Sequence, residues 1–150
     1  MKKKYIKLIE LYADDILESD SFKSQKEFIQ HGKTSVYKHI INVTNMSITI
    51  AYKFNMNVDI KSLIRGSLLH DYFLYDWHEN DKSHRLHGFK HAKTAMLNAE
   101  RDFGINKIEK NMIYTHMFPL NLRLPRYKES IILCMADKVC AIKETFNKNY

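Results

Sequence analysis

Glycine and proline are scarce in this chain, and this scarcity limits the folds that it can form. Only four glycines and two prolines occur among its 150 residues. All-β folds need many tight turns, which these two residue types favour. Apolar residues instead recur three or four positions apart, as in Tyr5, Ile9, Tyr12 and Ile16. The sequence therefore predicts an all-α fold, a single compact bundle of six or seven helices.

Capping residues predict where the first helices begin and end. A first amphipathic helix covers about residues 5–16, and a short second helix covers about residues 22–30. Thr34 or Ser35 is expected to cap a third helix that runs to about residue 54, because a hydroxyl can accept from the free amides of a first turn. Asp59 caps a fourth helix that ends at the pair His70-Asp71.

The second half of the chain predicts three more helices. The fifth helix is expected to begin near His91 and to end at Gly104, since glycine readily takes the left-handed conformation after a helix. Asn106 and Glu109 have the spacing of a capping box for the sixth helix. Pro125 is expected as the first residue of the last helix.

Charge and composition narrow the function classes. The formal net charge is +7, which favours anionic partners. The lysines are spread along the chain apart from residues 2–4, and this distribution disfavours a nucleic-acid-binding stripe. The N-terminal region resembles neither a signal peptide nor a membrane span. Cys134 and Cys140 show neither metal-site nor evident disulfide spacing, so a cytoplasmic protein without a membrane partner is expected.

Histidines and aspartates on apolar helix faces are the main functional signal. A buried carboxylate is costly unless a cation or a hydrogen-bond donor compensates it. Imidazole nitrogens and carboxylate oxygens are also ligands of divalent metals. Taken singly, each position is better explained as a hydrogen-bonded core residue, or for the last aspartate as a partner of Lys138 or Lys143. A common metal centre is favoured by the complete set, which comprises His39, His70, Asp71, His91, His116 and Asp137.

This order of residues, H…HD…H…H…D, resembles the HD-domain metal-dependent phosphohydrolase superfamily in its two-metal form. The resemblance covers about residues 34–146 of one HD-type domain spanning 1–150, with the helices of residues 5–31 packed on it. It implies a first metal held by His39, His70, Asp71 and Asp137. It implies a second metal held by Asp71, His91 and His116, with the Asp71 carboxylate as the bridge.

The third histidine of the motif has two candidates. In two-metal HD proteins it opens a helix and precedes a small residue four positions later. His91 is selected because Ala95 occupies that position. His87 is followed by the favoured Gly88 but has a bulky residue four positions later. His87 is then expected to hold a ligand or to contact substrate phosphate, with a solvated loop histidine as the alternative.

The resemblance implies hydrolysis of a phosphoester or phosphoanhydride by a metal-activated hydroxide, with Asp71, His87 and Lys90 as catalytic residues. An imidazole-rich site suits two ions of iron, manganese, zinc, cobalt or nickel better than magnesium. Cationic residues near the motif are expected to contact phosphate, and the candidates are Arg65, Arg85, Lys90 and Lys93. A polar stretch over residues 76–90 includes two of these cations, and a connection of this length is more often functional than not.

The spacing from His91 to Asp137 is most similar to that of the HD-type diadenosine tetraphosphate hydrolases. The segment Met117-Phe118-Pro119 replaces the polar, glycine-containing turn of that group, so the expected substrate is more generally a small phosphorylated molecule of nucleotide type. Two other classes stay open: a non-catalytic HD-fold regulator that binds a nucleotide or protein, and a basic nucleic-acid-binding helical domain. A homo-oligomer also stays open.

Overall fold

A computed structural model describes residues 3–31, 33–75 and 87–146, and this part of the chain contains seven helices and one short hairpin. The helices are α1 (Lys3–Glu18), α2 (Asp20–Ser24), α3 (Val36–Lys53), α4 (Ile60–Leu69), α5 (His87–Phe103), α6 (Lys107–Thr115) and α7 (Lys128–Phe146). The antiparallel strands β1 (Ile29–His31) and β2 (Thr34–Ser35) lie between α2 and α3. The predicted all-α bundle is confirmed.

Helix α4 is the central element of the bundle. It packs against α1, α3, α5, α6 and α7, and all its residues from Ser62 to Leu69 are buried. Helices α3 and α7 pack on each other beside it. Because α4 runs through the interior, the pair His70-Asp71 that follows it is buried at the centre of the fold.

The capping residues predicted from the sequence have their expected roles. Ser35 and Asp59 accept first-turn amides of α3 and α4. Asn106 and Glu109 form the capping box of α6. Gly104, with φ at +59°, follows the last residue of α5. The starts of α3, α4 and α6 and the end of α5 are therefore set by local features that the sequence shows.

The predicted second helix is too long. The helix ends at Ser24, and Gln30 lies in strand β1. The amide of Val36 donates to the carbonyl of Phe28 at 2.8 Å, so the extended segment is fastened to the start of α3. Gln30 is buried there by tertiary contacts, which override the weak local preference for helix.

Two helices begin at other positions than predicted. Helix α5 begins at His87, about one turn before His91, because its glycine lies in the first turn and interrupts no interior hydrogen bond. Helix α7 begins three residues after Pro125. The amide of Arg126 donates instead to the side chain of Asn111 at 2.9 Å, which holds this backbone outside the helix.

None of the described helices is both long and apolar enough to cross a membrane. Cys134 and Cys140 are buried free thiols, and the Cys134 thiol donates to the carbonyl of Thr115.

Candidate metal centre

The structure brings together all six residues selected from the sequence. They meet in the interior, where five helices converge, and none is more than 8% exposed. In chain order they are His39 on α3, His70 and Asp71 after α4, His91 on α5, His116 after α6, and Asp137 on α7. Local sequence patterns thus identified side chains that only the tertiary fold makes neighbours.

A close helix contact brings His70 and His116 together. A Cβ atom at Gly66 would lie 2.6 Å from the sulfur of Met112 and 3.3 Å from its Cβ atom, so a larger residue there would push the methionine side chain aside. Each histidine follows this contact by four residues on its own helix. Their ring centroids are consequently 5.1 Å apart in an edge-on arrangement.

Backbone carbonyls orient these two rings. The Nδ1 atom of His70 lies 2.8 Å from the carbonyl of Ser67, and Nδ1 of His116 lies 2.7 Å from the carbonyl of Ile113. A carbonyl only accepts, so Nδ1 carries the hydrogen, and Nε2 of the neutral ring keeps its lone pair. Both rings therefore present a ligand atom to the centre.

The first ligand group contains His39, His70 and Asp137. Oδ1 of Asp137 lies 3.1 Å from Nε2 of His39 and 3.8 Å from Nε2 of His70. Ligand atoms that sit about 2.1 Å from one ion, about 90–110° apart, are about 3.0–3.4 Å from each other. The observed separations are close to this range, so the group needs only a small contraction to hold an ion.

The second ligand group contains Asp71, His91 and His116. Oδ1 of Asp71 lies 3.4 Å from Nε2 of each histidine, and the two Nε2 atoms are 3.0 Å apart. These three separations match those expected around one ion.

The Asp71 carboxylate lies between the two groups. Its Oδ1 faces the second group, while Oδ2 lies 3.4 Å from Nε2 of His70 and 3.7 Å from Nε2 of His39. Asn98 on α5 donates to the carbonyls of Tyr72 and Phe73 and so fixes the backbone that follows this aspartate. One oxygen is thus directed to each group, which is the arrangement of a bridging ligand.

Two atoms of the centre show that its residues fit a metal. Nε2 of His70 and Oδ1 of Asp71 are buried and have no hydrogen-bond partner within the described parts of the chain. A buried polar atom without a partner is destabilising by about 1–3 kcal/mol. A divalent cation in each ligand group would satisfy one of these atoms, since an imidazole lone pair and a carboxylate oxygen are its ligands.

Two contacts around the ligands were not predicted from the sequence. Glu144 on α7 contacts Nδ1 of His39 through Oε2 at 2.7 Å, and its other oxygen accepts from Asn42 at 2.9 Å. Gln30 on β1 donates from Nε2 to Oδ2 of Asp71 at 2.6 Å. Glu144 follows Asp137 by two helical turns and was detectable by that spacing, whereas no pattern marked Gln30.

Burial and neighbouring charges set the protonation of the centre without metal. Burial lowers the pKa of His39, but hydrogen bonds to Asp137 and Glu144 outweigh burial and raise it to about 10. Burial raises the pKa of Asp71 and Asp137, yet the surrounding imidazoles hold both below their usual range. Burial lowers the pKa of His116. The carboxylates are therefore ionised at neutral pH, and His39 must release a proton to bind metal.

Of the cations predicted to bind phosphate, Arg65 lies away from the metal centre, whereas two lysines lie beside it in the chain. Arg65 donates to Asp15 at 2.6 Å and to the carbonyl of Tyr12 at 3.3 Å, so its guanidinium links α4 to α1 rather than facing the centre. Lys90 and Lys93 are exposed in the first turns of α5, beside His91.

Arg85 lies outside the described residues. For His87, the structure describes only the backbone, as the first residue of α5.

The chain was compared with protein-family models, with curated proteins and with solved structures, and none of them matches it.

Proposed function

We propose that this protein is a metal-dependent phosphohydrolase that cleaves a phosphoester or phosphoanhydride of a small, nucleotide-like substrate. The observation that carries the proposal is the position of Asp71, with one carboxylate oxygen toward each of two ligand groups. The order of the six residues, which resembles that of two-metal HD phosphohydrolases, supports the same reaction class.

The ligand set fits a pair of borderline divalent ions. Four imidazoles and two carboxylates suit iron, manganese, zinc, cobalt or nickel. Such ions, when bound, supply a hydroxide near neutral pH and offset the charge that develops on phosphoryl oxygens. The protein's contribution is to hold the ligands in place and to keep bulk water away from them.

Buried apolar side chains around the candidate ligands are suited to keeping bulk water away from them. Phe73 is buried and packs edge-on against His91, with ring centroids 5.9 Å apart. Ile40 and Leu69, which flank His39 and His70 in the chain, are fully buried. In such a water-poor site, electrostatic interactions with a phosphoryl group are stronger than in bulk water.

Substrate phosphate would be bound at the start of α5. The positive end of a helix dipole lies at its N-terminus, and Lys90 and Lys93 are exposed there on either side of His91. We expect both lysines to contribute to phosphate binding, because each lies within two positions of His91 in the chain. Their replacement by alanine should raise KM more than it lowers kcat, because they act on binding.

The proposal is tested by loading the metal-free protein with each candidate ion and assaying phosphomonoesters, phosphodiesters and nucleoside polyphosphates. Hydrolysis is expected with at least one ion, is abolished by a chelator, and is lost in Asp71→Ala. Two bound ions without hydrolysis of any substrate would contradict the enzyme and favour a regulator. Salt-sensitive nucleic-acid binding that is indifferent to chelators would favour a nucleic-acid-binding domain.

A further inference from the structure

Gln30 makes the shortest described contact to the Asp71 carboxylate, and it comes from outside the helices. It lies on β1, is 7% exposed, and its Nε2 atom is 2.6 Å from Oδ2 of Asp71. These two residues are 41 positions apart, so the contact is made only by the tertiary fold.

The chemistry of the pair fixes the orientation of the amide. An ionised carboxylate only accepts hydrogen bonds, so the side chain of Gln30 must turn its NH₂ group toward Asp71. Its Oε1 atom is then buried without a hydrogen-bond partner in the described residues. The hydrogen bond to Asp71 therefore sets the orientation of this side chain.

The hairpin holds Gln30 in a defined place beside the ligands. Strand β1 packs against α3 and α7, the helices that supply His39 and Asp137. The amide of Tyr37 in α3 donates to the carbonyl of Gln25 at 3.1 Å, and Ile29 pairs with Ser35 across the hairpin. The side-chain amide of Gln30 is thus held by a hairpin that is bonded to α3, the helix that carries the candidate ligand His39.

We propose that Gln30 is a positioning residue of the metal centre, which holds the Asp71 carboxylate so that each oxygen faces its own ligand group. The inference rests on the metal centre of the proposed function. Without this donor, the carboxylate can rotate about its Cβ–Cγ bond, and one or both groups lose an oxygen in the ligand position. Hydrogen-bond partners of metal ligands commonly change metal affinity in this way.

The test compares Gln30→Met with Gln25→Met in the full chain. Gln25 is a matched control, since it is also a buried glutamine whose Oε1 has no hydrogen-bond partner among the described residues. Its Nε2 donates to the carbonyl of Phe22 at 3.2 Å, not to a ligand. Metal-free protein is titrated with cobalt(II), and the dissociation constant and the visible spectrum of the bound ion are recorded.

Gln30→Met should bind cobalt about 10–100-fold more weakly and shift its visible bands, because the coordination by Asp71 changes. Gln25→Met should bind within about twofold of the wild type with an unchanged spectrum. Gln30→Asn keeps an amide that is one methylene too short, so it should behave like Gln30→Met. It provides the same test if the methionine variant does not fold.

Wild-type affinity and spectrum in a folded Gln30 variant would overturn the inference, as would an equal loss in Gln25→Met. A wild-type protein that binds no cobalt overturns the metal centre and this inference together. A wild-type protein that binds cobalt but hydrolyses no phosphate ester refutes only the hydrolase, and the cobalt affinities still decide the role of Gln30.

Discussion

The Nδ1 atom of His39 lies 2.7 Å from Oε2 of Glu144, although 105 positions separate the two residues in the chain. Glu144 shares a face of α7 with Asp137, so one helix supplies both a candidate ligand and the carboxylate that orients another ligand. A carboxylate at the far nitrogen of an imidazole fixes the ring and strengthens its lone pair toward a metal.

Glu144→Gln should therefore weaken metal binding about 10–100-fold, because the amide neither holds the ring as firmly nor increases its basicity. The dissociation constant of cobalt(II) measures the effect. Glu129→Gln is the matched control, since Glu129 is a buried glutamate of α7 that accepts from the amide of Asp59. Equal affinities in the two variants would show that the contact with His39 has no role in binding.

The two ligand groups should be separable by substitution. His116→Ala removes a ligand of the second group, and His39→Ala removes one of the first. Each variant should retain about one tightly bound ion per chain where the wild type retains two, as measured by elemental analysis after gel filtration. Loss of both ions in both variants would indicate one inseparable site.

The choice between His91 and His87 has its own test. Nε2 of His91 is 3.0 Å from Nε2 of His116, so His91→Ala should lower the metal content. His87→Ala should leave the metal content unchanged and at most alter KM. The opposite pattern in the same elemental analysis would make His87 the ligand.

Without metal, the free energy of unfolding should fall as the pH rises from 6.5 to 8. The pKa of His39 is raised from 6.5 to about 10 by Asp137 and Glu144 against the effect of burial. Over this interval the folded protein keeps a proton that the unfolded chain has released, so stabilisation present below pH 6.5 is progressively lost. The loss should be about 1.5–2 kcal/mol between pH 6.5 and 8, measured by urea unfolding.

Between pH 6.5 and 8, the other buried groups with shifted pKa values change the free energy of unfolding only little. Burial raises the pKa of Cys134 to about 11 and that of Cys140 to about 12, so their thiols affect the free energy of unfolding only as the pH approaches and exceeds their ordinary value of 9. The lowered pKa of His116 matters only below 6.5. His39→Gln should show a nearly flat profile from pH 6.5 to 8, and an unchanged slope in this variant would contradict the assignment to His39.

Gly66→Ala should destabilise the protein by about 1 kcal/mol, because its Cβ atom would displace the flexible end of the Met112 side chain and crowd the Cβ atom of Met112. Met112→Ala is itself destabilising, but Gly66→Ala added to it should cost much less. A double-mutant cycle by urea unfolding measures this non-additivity. Additive losses would show that the helix contact does not depend on the glycine.

Local chemistry explains which parts of the fold could be predicted. Ser35, Asp59 and Asn106 were recognised as caps because a cap bonds to amides two or three residues away. The second helix was predicted too long because the partner of Gln30 is distant in the chain. The start of α7 was missed for the same reason, since Asn111 on another helix binds the amide of Arg126.

At the candidate metal centre too, local features could be predicted from the sequence, but contacts between distant residues could not. The six candidate ligands were recognisable because they are polar residues at positions that helical spacing makes apolar. Their division into two groups around Asp71 depends on helix packing, in particular on the contact between Gly66 and Met112. Gln30 becomes evident only from its distance to Asp71, whereas the helical spacing of Glu144 from Asp137 is visible in the sequence.

The number of metal ions bound per chain, in the wild type and in Asp71→Ala, tests the central claim most directly. Asp59→Ala is the control, because it removes a helix cap with a loss of about 1 kcal/mol but no candidate ligand. Elemental analysis after loading with manganese, cobalt or zinc should give two ions in the wild type and in Asp59→Ala, and none in Asp71→Ala. Two ions retained by a folded Asp71→Ala protein would contradict the bridging role of this carboxylate.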